Sequence, residues 1–525
     1  MITVNNQPIT VPKNLVDALK CVRNYVWKNY LMLWADSACI NQADMQERSH
    51  QVGLMHAIYR CAECVGIWLG NPAADSDLVM DRMKEWKCEF DRISEPFGVD
   101  SELALNSLST SNTTFYRDRQ NLAWRAFQNL IQRAWWGRAW IVQEATALGP
   151  SRTLLFCGSR MVDWSTFSVA YDIGHRAAYL EGPSISIKRT PQGLFAGRLD
   201  TLRNDRESGH YIVLFTVLEL IRVYDCHDPR DKLYASLGLA ADVSETDIKP
   251  DYTKPVEDVY IDIAQFFLSK SELYCLDFLS LVVQSPKESG GTLSDLPSWI
   301  PDLRIRSSMY AFQRHLKFDG FGGRRAYNAA GNVRGFATIE GHSLRVYGFV
   351  LDLIENLYPV CHHDIATGGL SIERQWRTQV GREGYPLGGT TMEAFNHTLM
   401  ADIGMSVVNS EARIRGMKVD WDILDQDPIN LTAEEKQRRN WMLMDIKRTS
   451  FGRRLIQTRE GLIGLGPGSA EIGDLVCVLF GGHVLYVLRK EQSDHYKFVG
   501  ECYVHGMMDG EAINSSNTRR EFIIV

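Results

Sequence analysis

Leu31-Met32-Leu33-Trp34-Ala35-Asp36-Ser37-Ala38-Cys39-Ile40-Asn41-Gln42 sets a continuous apolar run directly against a polar one. The apolar half, 31–35, carries the signature of a buried parallel strand. The polar half then falls at the carboxyl end of that strand, where open α/β sheets bind ligands. Upstream, Asn14 with Asp17 predicts a helix start, and Leu15, Ala18, Leu19, Val22 and Val26 form its apolar stripe. Before it, Ile2 to Val11 alternates around Asn5-Asn6, a pair that tolerates positive φ, so a hairpin is expected. Downstream, Asp44 with Glu47 opens a second helix whose apolar line runs Val52, Met55, Tyr59, Ala62. Val65 to Leu69 reads as a second buried strand, stopped by Gly70-Asn71-Pro72. Helix, strand, helix, strand is an α/β pattern with a parallel sheet.

Further along, polar and irregular residues 73–120 read as an insertion, and helical spacing resumes at Leu122, Ala126, Leu130 and Ala134. Trp135 to Leu148 is resolved as helix by the Gly149-Pro150 stop, which places Trp136, Trp140, Gln143 and Glu144 on one face. Leu154 to Val162, turning at Gly158-Ser159, reads as another hairpin. Residues 163–330 read as mainly helical, with a start signal at Asp228-Pro229-Arg230-Asp231 and an end near Gly238. Leu296 to Asp302 reads as extended, 365–391 as glycine-rich loop, and 433–450 as a charged helix. The remainder of 331–525 is mostly β. The domain expectation is therefore 1–162, 163–330 and 331–525.

The 525 residues carry 57 Lys+Arg against 64 Asp+Glu, a net charge of −7. Such a chain lacks the clustered cations that phosphate backbones require, so no nucleic-acid partner is expected. The start of the chain has no signal-peptide pattern, and no apolar run approaches the ~20 residues of a membrane span. Eleven scattered cysteines without framework spacing fit reduced thiols. Together these point to a cytoplasmic protein.

Generic catalytic signatures are missing: no phosphate-binding loop, no His-Glu-x-x-His, no Gly-x-Ser-x-Gly. Cys61-Ala62-Glu63-Cys64 has no partner pair to complete a zinc site and reads as packing on its helix, so no metal is expected. Cys39 beside Asp36 has a nucleophile's setting, with His50 or His56 as base, but a buried core cysteine is the favoured reading. Two sets rise above this level. The first is Asp36, Cys39, Gln42, Glu47, Arg48 and Gln51; the second is Arg138, Trp140, Gln143 and Glu144. Aromatic wall, amide and carboxylate describe a nucleoside pocket, with stacking for the base and Glu144 for the ribose. An Arg138–Glu144 ion pair over core tryptophans explains the second set equally simply.

At these residues the chain resembles the fungal heterokaryon-incompatibility (HET) domain proteins. The resemblance lies in Leu33 to Gln42, Glu47-Arg48, Gln51-Val52, Met55, Ile58-Tyr59, Ala62 and Trp68-Leu69-Gly70. It continues in Arg138-Ala139-Trp140-Ile141-Val142-Gln143-Glu144, and weaker stretches follow at Asp228–Tyr234, Leu296–Asp302 and Gly500–Glu511. The resemblance implies non-self recognition between fungal cells, with the domain as effector of growth arrest or death. It also implies a TIR-like, flavodoxin-like parallel sheet, followed by a helical region and a β-rich C-terminal region. Some TIR domains hydrolyse NAD with a glutamate four residues after a tryptophan, a spacing that Trp140 and Glu144 reproduce. Members of the family normally carry an upstream Tyr-x-x-Leu-Ser-Tyr-x-Trp-Gly strand. This sequence begins after it, so a HET domain short by that strand, with an unpaired edge, is expected.

Three functions follow: an incompatibility protein triggered by a protein partner or self-association; an NAD- or nucleotide-hydrolysing enzyme with Glu144 catalytic and Trp140 as wall, Asp36 and Arg48 positioning the substrate; or a non-catalytic interaction protein.

Overall fold

Local signals decide the first elements. In the computed structural model, Ile2–Val4 (β1) and Gln7–Ile9 (β2) pair antiparallel about Asn6, at φ +62°. Helix α1, Lys13–Val26, starts one residue before Asn14, so Asn14 lies in its first turn instead of capping it. The structure describes all residues except 1, 5, 27–31, 74, 96–121, 182–190, 210, 245, 271–274, 285–295, 307–308, 310, 313–325, 332, 363–368, 382, 406–412, 493 and 515–516. Asn5, Leu31 and most of the expected insertion lie outside the described residues.

The expected strand at 31–35 is corrected. Residues 32–35 pair with no strand; Met32 is fully exposed and Leu33 more than half exposed, which a buried strand excludes. Asp36–Cys39 instead forms a single helical turn, α2. Helix α3, Met45–Cys61, begins where Asp44 predicts: its carboxylate accepts the Gln46 and Glu47 N–H groups at 2.9 and 3.1 Å. Val52 and Met55 are buried along its inner line.

Strand β3, Val65–Trp68, is followed by a nineteen-residue helix, α4, Ser76–Ser94, in part of the stretch read as irregular. Polar composition hid its stripe of Val79, Met80, Met83 and Trp86, all fully buried. Trp86 meets Trp124 and Phe127 of α5, Leu122–Ile131, at centroid distances of 6.5 and 6.3 Å. A 3-10 turn, Ala134–Gly137, precedes α6, Ile141–Thr146. The expected single helix over 135–148 is thus broken at Arg138, and Trp136 does not share a face with Glu144. The cause is a remote segment: Asp225 bridges Arg138, with Ala139 N–H donating to the Asp225 carbonyl at 2.7 Å. Trp136 is core, donating to the Leu130 carbonyl and stacking on Phe167 at 4.7 Å.

Strands β4, Thr153–Cys157, and β5, Arg160–Asp163, form the second hairpin through Gly158. β3 runs parallel to β4 and β4 antiparallel to β5, so the sheet is small and mixed. Helices α7 (Trp164–Glu181), α8 (Pro191–Glu207), α9 (Leu214–Ile221) and α10 (Asp231–Leu237) follow. Asp228 does not cap α10 as a helical N-cap: it takes the Arg230 N–H and guanidinium, and the helix begins at Asp231.

The chain divides into two compact units, Met1–Pro255 and Val256–Val525. The second opens with α11, Val256–Lys270. Leu296–Asp302 forms turns, not the expected extended segment. Strands β6 (Ala337–Glu340) and β7 (Ser343–Val360) come next. The expected loop at 365–391 contains α12, Ser371–Gln379. After α13 (Thr391–Thr398), β8 (Ile403–Met405), β9 (Arg413–Arg415) and α14 (Trp421–Asp425) comes the charged helix α15, Ala433–Ser450, closed at its start by a Thr432/Glu435 capping box.

Strands β10 (Arg453–Thr458), β11 (Ile463–Pro467), β12 (Leu475–Leu479), β13 (Leu485–Lys490) and β14 (His495–Val504) complete a sheet with β7. Pairing runs β7-β10-β11-β14-β13-β12 and back to β7, all antiparallel, so six strands close into a barrel. Bulges in β7 let one long strand bend between β12 and β10. The last strand, β15 (Arg520–Ile524), pairs with β7 and β14. Near-continuous burial of Val476–Leu479 and Leu485–Leu488 shows both strand faces covered, hence their unbroken apolar sequence.

Gly464 is where the barrel tolerates least: a Cβ there would lie 2.0 Å from the Tyr503 carbonyl oxygen. Gly464→Ala is expected to destabilise by about 1–3 kcal/mol through overpacking. Gly149→Ala, with nothing within 4 Å of its Cβ, is the near-neutral control. Thermal unfolding of both variants checks this.

Candidate functional site

Six side chains gather around the first turn of α6. Glu144 accepts the Trp135 indole N–H at 2.9 Å. Arg138, exposed on the extended segment before α6, acts on it as a favourable positive charge, and Asp36 of α2 lies within its field. Tyr59 of α3 feels Glu144, Asp36 and Arg138, and its ring meets Trp34 edge-on at 5.5 Å. Burial raises the Glu144 carboxyl above its ordinary value, Arg138 and the Trp135 N–H pull it back, and Asp36 adds to the rise. Burial likewise raises the Tyr59 phenol, with Glu144 and Asp36 adding to it. Two carboxylates, one cation and three aromatic rings therefore share one locality.

A second polar cluster ties α3 to the start of α10. Arg48 of α3 sits 3.6 Å from Asp228 and 3.7 Å from Asp231, with its guanidinium 3.6 Å above the Tyr252 ring. Asp231 accepts the Tyr252 hydroxyl at 2.5 Å and also the Trp140 indole. Arg230 chelates Asp228 and donates to the carbonyls of Tyr252 and Lys254. Buried Lys232 donates to the Ile221, Arg222 and Tyr224 carbonyls at the end of α9, and burial brings its ammonium down to about 8.

These two clusters divide the residues singled out in the sequence. Asp36, Arg138 and Glu144 come together; Arg48 and Trp140 belong to the second cluster. Gln143 is buried, and its amide donates to the Ala235 carbonyl at 3.2 Å. Glu47 is half-buried and accepts the Asn41 N–H, Gln42 is exposed, and Gln51 is half-buried. Cys39 is exposed, contrary to the expected core cysteine. Cys61, the last residue of α3, and Cys64, in the segment after it, are exposed too, contrary to the expected packing. His56 is no base for Cys39: it packs against Gly238, where a Cβ would come within 2.5 Å, and burial lowers it to about 4. Trp34, Tyr59 and Trp135 complete the Glu144 cluster, and Trp135 had no helical spacing to announce it.

Among the described residues, no three His, Cys, Asp or Glu side chains are placed to hold a metal ion, and no helix is long and apolar enough to cross a membrane.

Residues 1–144 match the family model described as heterokaryon incompatibility protein (HET), and residues 360–525 match the Het-6 beta-barrel domain. The chain carries a HET domain at residues 1–144. It is similar to heterokaryon incompatibility protein 6, OR allele, of Neurospora crassa, at 27% identity over 618 residues, covering 99% of this chain and 88% of the relative. No solved structure matches. The HET match ends on Glu144 itself, so the α6 helix straddles its boundary. The barrel match takes in β10 to β15 and only the end of β7.

Proposed function

We propose that this HET-domain protein acts in heterokaryon incompatibility as an effector that halts growth when a protein partner, or another copy, engages it. The match to the Neurospora incompatibility protein over nearly the whole chain carries this reading. In it, 1–162 is the effector region, 163–330 supports it, and 331–525 meets the partner; the parallel β3–β4 pair is the part of a TIR-like sheet that supports a TIR-type effector. Inducible expression in a fungal host is expected to arrest growth. Normal growth at confirmed protein levels, with and without a genetically different fusion partner, overturns it.

A second reading is favoured by the Glu144 cluster: cleavage of the N-glycosidic bond of NAD or a related nucleotide. A carboxylate among aromatic rings suits a ribosyl cation and a flat base. In NAD the bond from ribose to the cationic ring nitrogen breaks, its electron pair neutralises that nitrogen, and the ribosyl carbon is left positive. Glu144 as carboxylate stabilises that charge until water adds and releases a proton. The two readings are compatible, cleavage being a means of arrest.

A further inference from the structure

Glu144 rides on a helix of only six residues, too short to hold its own geometry. What holds it comes from far downstream. At its C-terminal end, Arg203 of α8 donates to the Ala145 carbonyl and, at 2.9 Å, to that of Leu148. Arg206 donates to the Thr146 carbonyl at 2.9 Å. These are the orphan acceptors of a helix terminus, and cations are the favoured partners there. At its middle, the Gln143 amide donates to α10 backbone. At its start, the Trp140 indole is held by Asp231, which is braced by Tyr252 and Arg48. Arg203 and Asp231 are themselves buried, at 2% and 5% exposure, so these ties are fixed and not passing surface contacts.

We propose that Arg203, Arg206 and Asp231 are positioning residues for Glu144, so that the working HET unit extends past the matched 1–144 to Tyr252. Each tie fixes a different point of the helix, while Glu144 itself accepts the Trp135 indole N–H. Any event that loosens the 203–252 segment would therefore act on the carboxylate without touching it.

The functional consequence rests on the reading of Glu144 as the working carboxylate; the positioning itself does not, and it has its own readout. In the full chain, the Trp135 indole N–H resonance, assigned with Trp135→Phe, reports Glu144 ionisation as pH changes. Arg138, Asp36 and Tyr59 are the other groups facing that carboxyl. Arg206→Ala, at a half-exposed residue, and Asp231→Ala are expected to open the helix to water and move the midpoint down by about half a pH unit or more. Asp231→Asn, which keeps an acceptor for Trp140 and Tyr252, is expected to restore it. With NAD as probe, well below each variant's Tm, kcat should fall about tenfold with KM within about twofold. An unchanged midpoint in folded Arg206→Ala overturns the positioning role, as does an Asp231→Asn variant no better than Asp231→Ala. A wild-type chain that leaves NAD intact but shows the midpoint shifts sinks the enzymatic reading and leaves the positioning role standing.

Discussion

Glu144→Ala is expected to lower any NAD loss by about 100-fold or more, the usual consequence of removing a group aimed at charge that develops in the transition state. The leaving nicotinamide departs neutral, so the reaction needs no proton donor; it needs an anion beside the ribosyl carbon. Glu144 must therefore be ionised. Burial raises its carboxyl, so the rate should climb with pH through a midpoint above the ordinary ~4.3 of a glutamate. Glu144→Gln separates charge from shape. Its amide oxygen still accepts the Trp135 indole, so folding is retained while cleavage is lost. In the fungal host both variants should lose growth arrest. If Glu144→Gln keeps full arrest and a wild-type Tm, the carboxylate is structural and a non-catalytic interaction protein is the better account. Trp140→Ala is a weaker probe, because it also strips a donor from buried Asp231.

The same residues show what a sequence can and cannot announce. Asp44 at the start of α3, Asn6 in the first hairpin and the charged run of α15 obey rules whose partners lie within a few residues. Residues 31–35 have the composition of a buried strand, yet strand formation depends on a neighbour that the local sequence does not contain. In α4 the apolar stripe was present, but outnumbered by charges on the exposed face. At the site, helical spacing drew attention to Trp140, whereas the indole that donates to Glu144 is that of Trp135. Trp135 reaches Glu144 because the chain breaks at Arg138, and Asp225 makes that break from another part of the fold. The DPRD segment was visible as a helix start, but not as the brace of Arg48 and Trp140, because that brace exists only once α3, α6 and α10 are packed.

The largest expected effect on stability lies in the C-terminal unit, at Arg453. It is 1% exposed, donates to Glu501 at 2.7 Å and to the Thr449 carbonyl at 3.0 Å, and lies 3.8 Å over the Phe312 ring. Glu501, 6% exposed, also accepts the Phe312 N–H at 2.7 Å. Arg453→Met keeps the length of the side chain but strands the buried carboxylate, which typically costs about 3–5 kcal/mol. For a unit of this size that corresponds to a Tm lower by about 10 °C. Burial already raises the Glu501 carboxyl above its ordinary value, against the pull of Arg453; without the guanidinium it rises further. A carboxyl raised in the folded state holds its proton where the unfolded chain has released it. Its contribution is therefore present at low pH and lost as pH climbs from the ordinary carboxylate value through the raised one. The Arg453→Met deficit should accordingly shrink on acidification, and Arg453→Met with Glu501→Gln should recover much of it at neutral pH. A deficit that is the same at pH 5 and pH 8, and is not relieved by the second substitution, would mean that lost packing on Phe312, and not the orphaned charge, dominates.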